Sequence, residues 1–92
     1  KLVALTPNTL TDLAALEAEL ERINIRNLSI DNEEFVLGIT CVAVPIFDAA
    51  GQCIAAIAMH GQVAATPLSV SLTHVPRLQA AACELARTFG TA

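Results

Sequence analysis

Two side chains with catalytic potential lie on neighbouring predicted strands, a cysteine at Cys41 and a histidine at His60. Covalent catalysis needs such a nucleophile with a base beside it. However, the sequence has no GxSxG, HExxH or Gly-rich phosphate motif, and a cysteine in an apolar strand is more often a packed hydrophobe. Glu33 and Glu34 are adjacent, so their side chains diverge and make a poor acid–base pair. We therefore predict that the protein is not an enzyme.

The same strands favour binding of a small molecule. Alternation of side chains places Cys41 and Ala43 on one strand face, and Ala58 and His60 on the matching face of the next strand. Asp31 enters beside them, and the alanines leave room for a hollow. A mostly apolar hollow with a few polar groups is typical of ligand pockets. The predicted ligand-binding residues are Asp31, Cys41, Ala43, Ala58 and His60, and no metal or cofactor is expected.

Two apolar runs separated by turn residues form the predicted scaffold of this face. The runs are Ile39 to Phe47 and Cys53 to Met59, and the break between them is Asp48 to Gln52. This arrangement predicts a β-hairpin. Neither run alternates apolar with polar residues, so we expect both faces of both strands to be covered. Pro45 cannot donate a ladder hydrogen bond, which predicts a sheet edge or a bulge there.

The segment before the hairpin predicts a helix, a short strand and a turn. Thr9 to Arg26 has helical periodicity, and Thr11 is the expected N-cap. Leu28 to Ile30 is a candidate short strand, and Asp31 to Glu34 reads by spacing alone as a solvated acidic turn. The apolar stripe of the helix consists of Leu13, Leu16, Leu20 and Ile23.

The segment after the hairpin predicts a loop and a second helix. Gln62 to Ser71 contains Pro and Ser residues and is expected to be a loop. The last helix is expected to start between Ser69 and Pro76 and to end at Gly90. Its apolar seam consists of Val75, Leu78, Ala82, Leu85 and Phe89. The predicted fold class is thus α+β, in the order helix, short strand, strand, strand, helix.

Composition excludes several classes of function. The 92 residues suffice for one small domain, 54% of them are hydrophobic, and the formal net charge is −4. No basic cluster is present, so direct nucleic-acid contact is not expected. No apolar run reaches the roughly 18 residues of a membrane span, so no membrane partner is expected. Three cysteines without CxxC spacing argue against a zinc site or disulfide framework and suggest a reducing, cytoplasmic location.

The central stretch resembles the effector-binding domain of the IclR family of bacterial transcriptional regulators. That family reads roughly D-x-E-E-x-x-x-G-x-x-C-[IV]-A-[AV]-P-[IV]-x-D, and residues 31–48 match it. The resemblance extends over about Leu5 to Gly90 and looks nearest to the branch that senses aromatic acids. The matching positions are Asp31, Glu33, Glu34, Gly38, Cys41, Val42, Ala43, Pro45 and Asp48.

The resemblance implies a GAF-like antiparallel sheet flanked by helices, with a ligand pocket on one sheet face. It also implies a sensor of a small organic or aromatic acid that assembles as a homodimer or tetramer. Residues 1–92 would be a single domain, the second half of such an effector-binding domain, and the DNA-binding winged helix would be absent.

One part of the implied pocket departs from the family pattern. Asp31 and Cys41 match, whereas the strand end that reads S-x-S-G in the family carries Ala58 and His60 before Gly61. Two hydroxyls are replaced by a methyl group and an imidazole, and a protonated imidazole can pair with a carboxylate ligand. The alternative function is an oligomerisation module that no longer binds a ligand.

Overall fold

The structure, a computed structural model, describes residues 1–89 as an antiparallel sheet with three helices. The elements are α1 (Leu13–Arg26), β1 (Ser29–Asn32), β2 (Ile39–Phe47), β3 (Cys53–Gln62), α2 (Leu68–Leu72) and α3 (Val75–Phe89). The sheet order is β1-β2-β3, and both pairings are antiparallel. The predicted α+β class and the β-hairpin are confirmed.

The first helix starts later than the sequence pattern indicates. Its N-cap is Asp12, whose carboxylate accepts a hydrogen bond from the backbone N–H of Ala15, so the prediction of Thr11 was wrong. A carboxylate also suits the positive end of the helix dipole, which explains the choice. Asn27 ends the helix in the left-handed conformation at φ 54°.

The apolar stripe of α1 is less buried than its periodicity suggests. No residue of the helix is fully buried, and Leu13 and Leu20 are mostly exposed. The helix is held partly by ion pairs: Glu19 accepts hydrogen bonds from Arg22 at 2.9 Å and from Arg26 at 2.7 Å. The α1 helix therefore leaves apolar surface uncovered within residues 1–89.

The core lies between one face of the sheet and α3. Val42, Val44 and Ile46 project from alternate positions of β2 and are almost completely buried. Ala82 of α3 packs against this cluster, and its small side chain permits close approach of helix and sheet. The first turns of α3 add Val75 and Leu78, while Leu85 and Phe89 farther along the predicted seam remain partly exposed.

Only one face of the hairpin is covered, and it is buried along β2 and half-buried along β3, so the prediction of two covered faces was wrong. The β2 residues between the buried ones, such as Cys41 and Ala43, are half-buried, and Ala56 and Ala58 of β3 are exposed. These side chains are small and apolar, which hides the inside–outside alternation from the sequence. The open face of the sheet, meaning the face opposite α3, is the candidate ligand surface.

Two boundaries differ in detail from the sequence expectations. The short strand is Ser29–Asn32 rather than residues 28–30, because its pairing with β2 runs from Ser29 opposite Ala43 to Asn32 opposite Thr40. The expected loop at 62–71 contains the end of β3 and the short helix α2. Gly90, the expected end of α3, lies outside the described residues. None of the helices within residues 1–89 is long and apolar enough to cross a membrane.

Pro45 lies where the sheet tolerates it. The pairing of β1 with β2 stops at Ala43, so at Pro45 the only neighbouring strand in the sheet is β3. The register between β2 and β3 shifts one residue later, between Ile46 and Phe47. Pro45 therefore lies at an open edge, as predicted, and close to a bulge.

Candidate functional site

The strand register brings three polar side chains into one row across the open face. Asp31 of β1 is opposite Cys41 of β2, and Cys41 is in turn opposite His60 of β3. Directly opposed residues of antiparallel strands project to the same face with Cβ atoms about 5 Å apart. We call Asp31, Cys41 and His60 the polar row.

A second row of small side chains lies beside the polar row. Ser29 is opposite Ala43, and Ala43 is opposite Ala58. Because rows on one face are two residues apart, this row is about 7 Å from the polar row. The register thus places all five residues predicted to bind a ligand on one surface, in two adjacent rows.

Asp31 is engaged by the loop that follows it. Its Oδ1 accepts a hydrogen bond from the backbone N–H of Glu34 at 2.7 Å. The neighbouring acids act similarly: Glu33 accepts from the N–H of Gly38 at 2.8 Å, and Glu34 accepts from the N–H of Asn32 at 3.2 Å. The spacing alone predicted a solvated acidic turn; in the structure the three carboxylates organise the 31–38 loop.

The N-terminal segment fixes the same loop from outside. The hydroxyls of Thr6 and Thr9 donate to the backbone carbonyls of Glu33 and Glu34 respectively. Thr6 is buried by this contact. Both the position of Asp31 and the start of β2 are therefore set by hydrogen bonds from two directions, which suits a preorganised site.

Cys41 is a poor nucleophile in this environment. Burial raises the pKa of the Cys41 thiol, and the negative charge of Asp31 raises it further. The thiol form is therefore favoured at neutral pH, whereas nucleophilic cysteines need the thiolate. The polar row offers hydrogen-bonding groups for a ligand and does not offer an activated catalytic cysteine.

A small apolar cavity opens on the same face, next to the second row. It measures about 260 Å³ and lies between the C-terminal end of α1 and the strands. Of the five predicted site residues, only Ala43 lines it. Its remaining lining is Ile23, Asn24, Asn27, Leu28, Ser29, Val44, Pro45, Phe47, Cys53 and Ala56.

The sequence could have indicated part of this cavity. Strand alternation already places Pro45 and Phe47 on the face of Cys41, and Ala56 on that of Ala58. The contribution of Ile23 and Asn24 carries no such signal, because it depends on where α1 lies relative to the sheet. A second cavity of about 280 Å³ lies at the open edge of β2 against α3 and contains none of the predicted residues.

An antiparallel sheet with α2 and α3 on one face, and a polar row next to an apolar cavity on the other, fits a domain that binds small molecules. The sequence matches the family described as "Bacterial transcriptional regulator IclR C-terminal" over residues 1–87. The chain therefore belongs to the IclR family and corresponds to its C-terminal, effector-binding domain.

Similar proteins agree with this assignment. The HTH-type transcriptional regulator BhcR of Paracoccus denitrificans is 39% identical over the whole chain, which spans 32% of that protein. The IclR structure from Thermotoga maritima superposes on 98% of the chain with a TM-score of 0.83 and 37% identity, and the chain covers 36% of it. The inducer-binding domain of PobR from Acinetobacter, a double mutant in complex with 3-hydroxybenzoic acid, superposes on 92% of the chain with a TM-score of 0.85 and 31% identity. The chain covers 49% of that domain.

These relatives are transcriptional regulators and not enzymes, which agrees with the prediction from the motifs that the chain is not an enzyme. The chain spans about one third of the length of the curated BhcR relative and about half of the PobR domain.

Proposed function

We propose that this chain is the ligand-sensing and self-associating part of an IclR-type transcriptional regulator and that its effector is a small organic or aromatic acid. It would form the second half of the effector-binding domain. The effector would lie on the open face of the sheet, with its polar end at Asp31, Cys41 and His60 and its body against Ala43 and Ala58.

The observation that supports this proposal is the juxtaposition of the polar row and the apolar cavity. Asp31, Cys41 and His60 are aligned across three strands, and the cavity begins one to two rows away, at Ala43 and Pro45. A ligand with a polar group and an apolar body would contact both. At about 260 Å³, the cavity is at the small end of ligand pockets, which favours a single ring or a short chain.

The chemistry of the polar row favours a hydroxy acid over a simple acid. The imidazole N–H of His60 can donate a hydrogen bond to the ligand carboxylate, and hydrogen bonds to ionised groups are the strong ones. The carboxylate of Asp31 repels an anion but accepts a hydrogen bond from a hydroxyl group. PobR, whose domain shares the fold, was crystallised with 3-hydroxybenzoic acid, a molecule that carries both groups.

Isothermal titration calorimetry would test this proposal. The ligands are 3-hydroxybenzoate, 4-hydroxybenzoate, protocatechuate, pyruvate and glyoxylate. At least one hydroxylated aromatic acid should bind. His60→Ala should weaken that binding by roughly 10- to 100-fold, the value of a hydrogen bond to a charged group. His74→Ala is the matched control, because His74 precedes α3 on the opposite side of the sheet.

Two results would contradict the proposal. One is the absence of binding heat for every ligand at millimolar concentration, with a protein that still unfolds cooperatively. The other is equal binding by the His60→Ala and His74→Ala variants.

A second candidate function, oligomerisation without ligand binding, is favoured by the exposed apolar surface. Ile25 is 77% exposed, Phe35 67% and Leu37 61%. The ten-residue strand β3 also has no neighbour on its outer side among the described residues, and long edge strands favour pairing with other chains.

Native mass spectrometry separates the two candidates in one experiment. A dimer that retains a small acid supports the sensor. A bare dimer or larger assembly that remains bare after incubation with the acids supports the oligomerisation module. A clean monomer at tens of micromolar would refute self-association.

A further inference from the structure

Two hydroxyl groups are buried on the α3 side of the sheet without a hydrogen-bond partner among residues 1–89. Thr40 and Ser71 are each only 1% exposed. Neither Thr40 Oγ1 nor Ser71 Oγ has a partner within the described part of the chain. Buried polar atoms are nearly always satisfied, so two such hydroxyls need an explanation.

The two hydroxyls lie against the same glycine. Thr40 is opposite Gly61 in the pairing of β2 with β3, so its side chain projects beside the Cα of Gly61. Ser71 of α2 approaches from the helix side: a Cβ atom at Gly61 would lie 3.1 Å from Ser71 Oγ. It would also lie 3.1 Å from the carbonyl oxygen of Thr66. The side chains of Thr40 and Ser71 and the carbonyl of Thr66 therefore converge on one short piece of backbone.

We propose that one buried water molecule binds between Thr40 and Ser71 beside Gly61 and links α2 to the sheet. Each hydroxyl can donate one hydrogen bond and accept others, and the Thr66 carbonyl can accept one. Buried waters typically make about three hydrogen bonds to otherwise unsatisfied polar groups, which this set of oxygens provides.

Water fits these partners better than an ion does. Two neutral hydroxyls and a carbonyl supply no charge to compensate a buried ion. Within residues 1–89, no cluster of three or more His, Cys, Asp or Glu residues is placed to hold a metal ion. A neutral molecule that both donates and accepts hydrogen bonds is the remaining class, and water is its smallest member.

The location connects this water to the strands of the candidate site. Thr40 precedes Cys41, and Gly61 follows His60, so the water lies on the reverse side of the strand pair that carries the polar row. It would hold α2, which has no side-chain hydrogen bond at its N-cap. A bridging water is thus a specific connection between a short helix and the strands of the candidate site.

Water-to-amide NMR on the unaltered chain tests the proposal directly. A long-lived water should show cross-relaxation with the amide protons of Thr40, Gly61 or Ser71, and a crystal structure should show it about 2.7–3.0 Å from both hydroxyls. A crystal structure in which the hydroxyls bond directly to each other or to backbone carbonyls, with no water between them, would overturn it.

A double-mutant cycle tests whether the two hydroxyls act together. Thr40→Val and Ser71→Ala should each destabilise the chain in urea, because each leaves the other hydroxyl poorly satisfied. The folding equilibrium constant of the double variant should be at least about threefold larger than the value expected from multiplying the two single effects. Thr73→Val is the control, since Thr73 Oγ1 is exposed and bonds to Val70; it should leave the water signal unchanged. If the two single effects on the folding equilibrium constant simply multiply, the hydroxyls act independently, and the shared water is overturned.

Discussion

Asp31 has two possible roles that substitutions can separate, a structural role in the 31–38 loop and an electrostatic role in the polar row. Its Oδ1 accepts the N–H of Glu34 at 2.7 Å in a partly buried position. The Asp31→Asn variant keeps a carbonyl oxygen at that place and removes the charge. The Asp31→Ala variant removes both.

The structure gives a magnitude for each substitution. A hydrogen bond to an ionised carboxylate is worth about 1.5–3 kcal/mol net, so Asp31→Ala should lower the free energy of unfolding by about 2 kcal/mol. In a domain of this size, 1 kcal/mol corresponds to a fall in Tm of roughly 4–8 °C. Asp31→Asn should cost about 1 kcal/mol, because a neutral acceptor remains and only the contribution of the charge is lost. Urea denaturation followed by circular dichroism measures both values.

The pKa of the neighbouring Cys41 reports on the charge of Asp31. Burial is the larger cause of the raised pKa of Cys41, and the Asp31 carboxylate is the second cause. Asp31→Asn should therefore lower the pKa of Cys41 part of the way towards its ordinary value and speed its alkylation near pH 8. Cys53 and Cys83 are exposed and serve as internal controls whose rates should not change.

Two outcomes would refute this reasoning. If Asp31→Asn destabilises the chain as much as Asp31→Ala does, the acceptor oxygen does not hold the loop. If Asp31→Asn leaves the alkylation rate of Cys41 unchanged, the two side chains are not close enough to interact, and the polar row is wrong.

Three further predictions concern the scaffold. Val44→Ala removes two buried methyl groups from the core and should cost about 2–3 kcal/mol in urea denaturation; the exposed Val36→Ala should stay within about 0.5 kcal/mol, and equal effects would disprove the assigned core. Gly38→Ala should cost about 1 kcal/mol, because φ is +85° while a Cβ would meet open space; an unchanged midpoint would contradict that backbone conformation. The pKa of Glu19 is lowered chiefly by its hydrogen bond with Arg22, so the ion pair stabilises the fold above the ordinary pKa near 4.5 and this stabilisation is lost as pH falls through the lowered pKa. The difference in free energy of unfolding between the unaltered chain and Glu19→Gln should therefore vanish on acidification. A difference that persists at pH 2 would contradict the ion pair.

The hairpin and its faces could be predicted from the sequence because β-strands have a strict period of two. The apolar runs, the turn residues between them and Pro45 were enough to place Cys41 with Ala43, and Ala58 with His60. The register that aligns Cys41 with His60 was not predicted, because the turn and the shift between Ile46 and Phe47 set it. Local chemistry therefore carried most of the information about the candidate site.

Features that depend on tertiary packing could not be predicted in the same way. The half-open sheet face is invisible in the sequence because its residues, such as Ala56, are apolar whether covered or not. The short helix α2 has no periodicity over five residues, and Pro67 and Ser69 suggest a loop. The cap at Asp12 rather than Thr11 was a choice between two good capping residues that only the start of the helix decides.

The distance between the rows of the open face leads to a prediction about effector size. The polar row and the row of Ala43 and Ala58 are about 7 Å apart, a distance that a benzene ring bearing a carboxylate spans and a two-carbon acid does not. If the proposed binding mode is correct, Ala58→Leu places a larger side chain where the ring would lie. It should weaken 3-hydroxybenzoate at least about tenfold, or 1.4 kcal/mol, and leave any glyoxylate binding unchanged, whereas Ala64→Leu in the exposed turn after β3 should affect neither. Calorimetry with both acids checks this, and equal losses for the two acids in Ala58→Leu would mean that the variant perturbs the sheet rather than the space beside it.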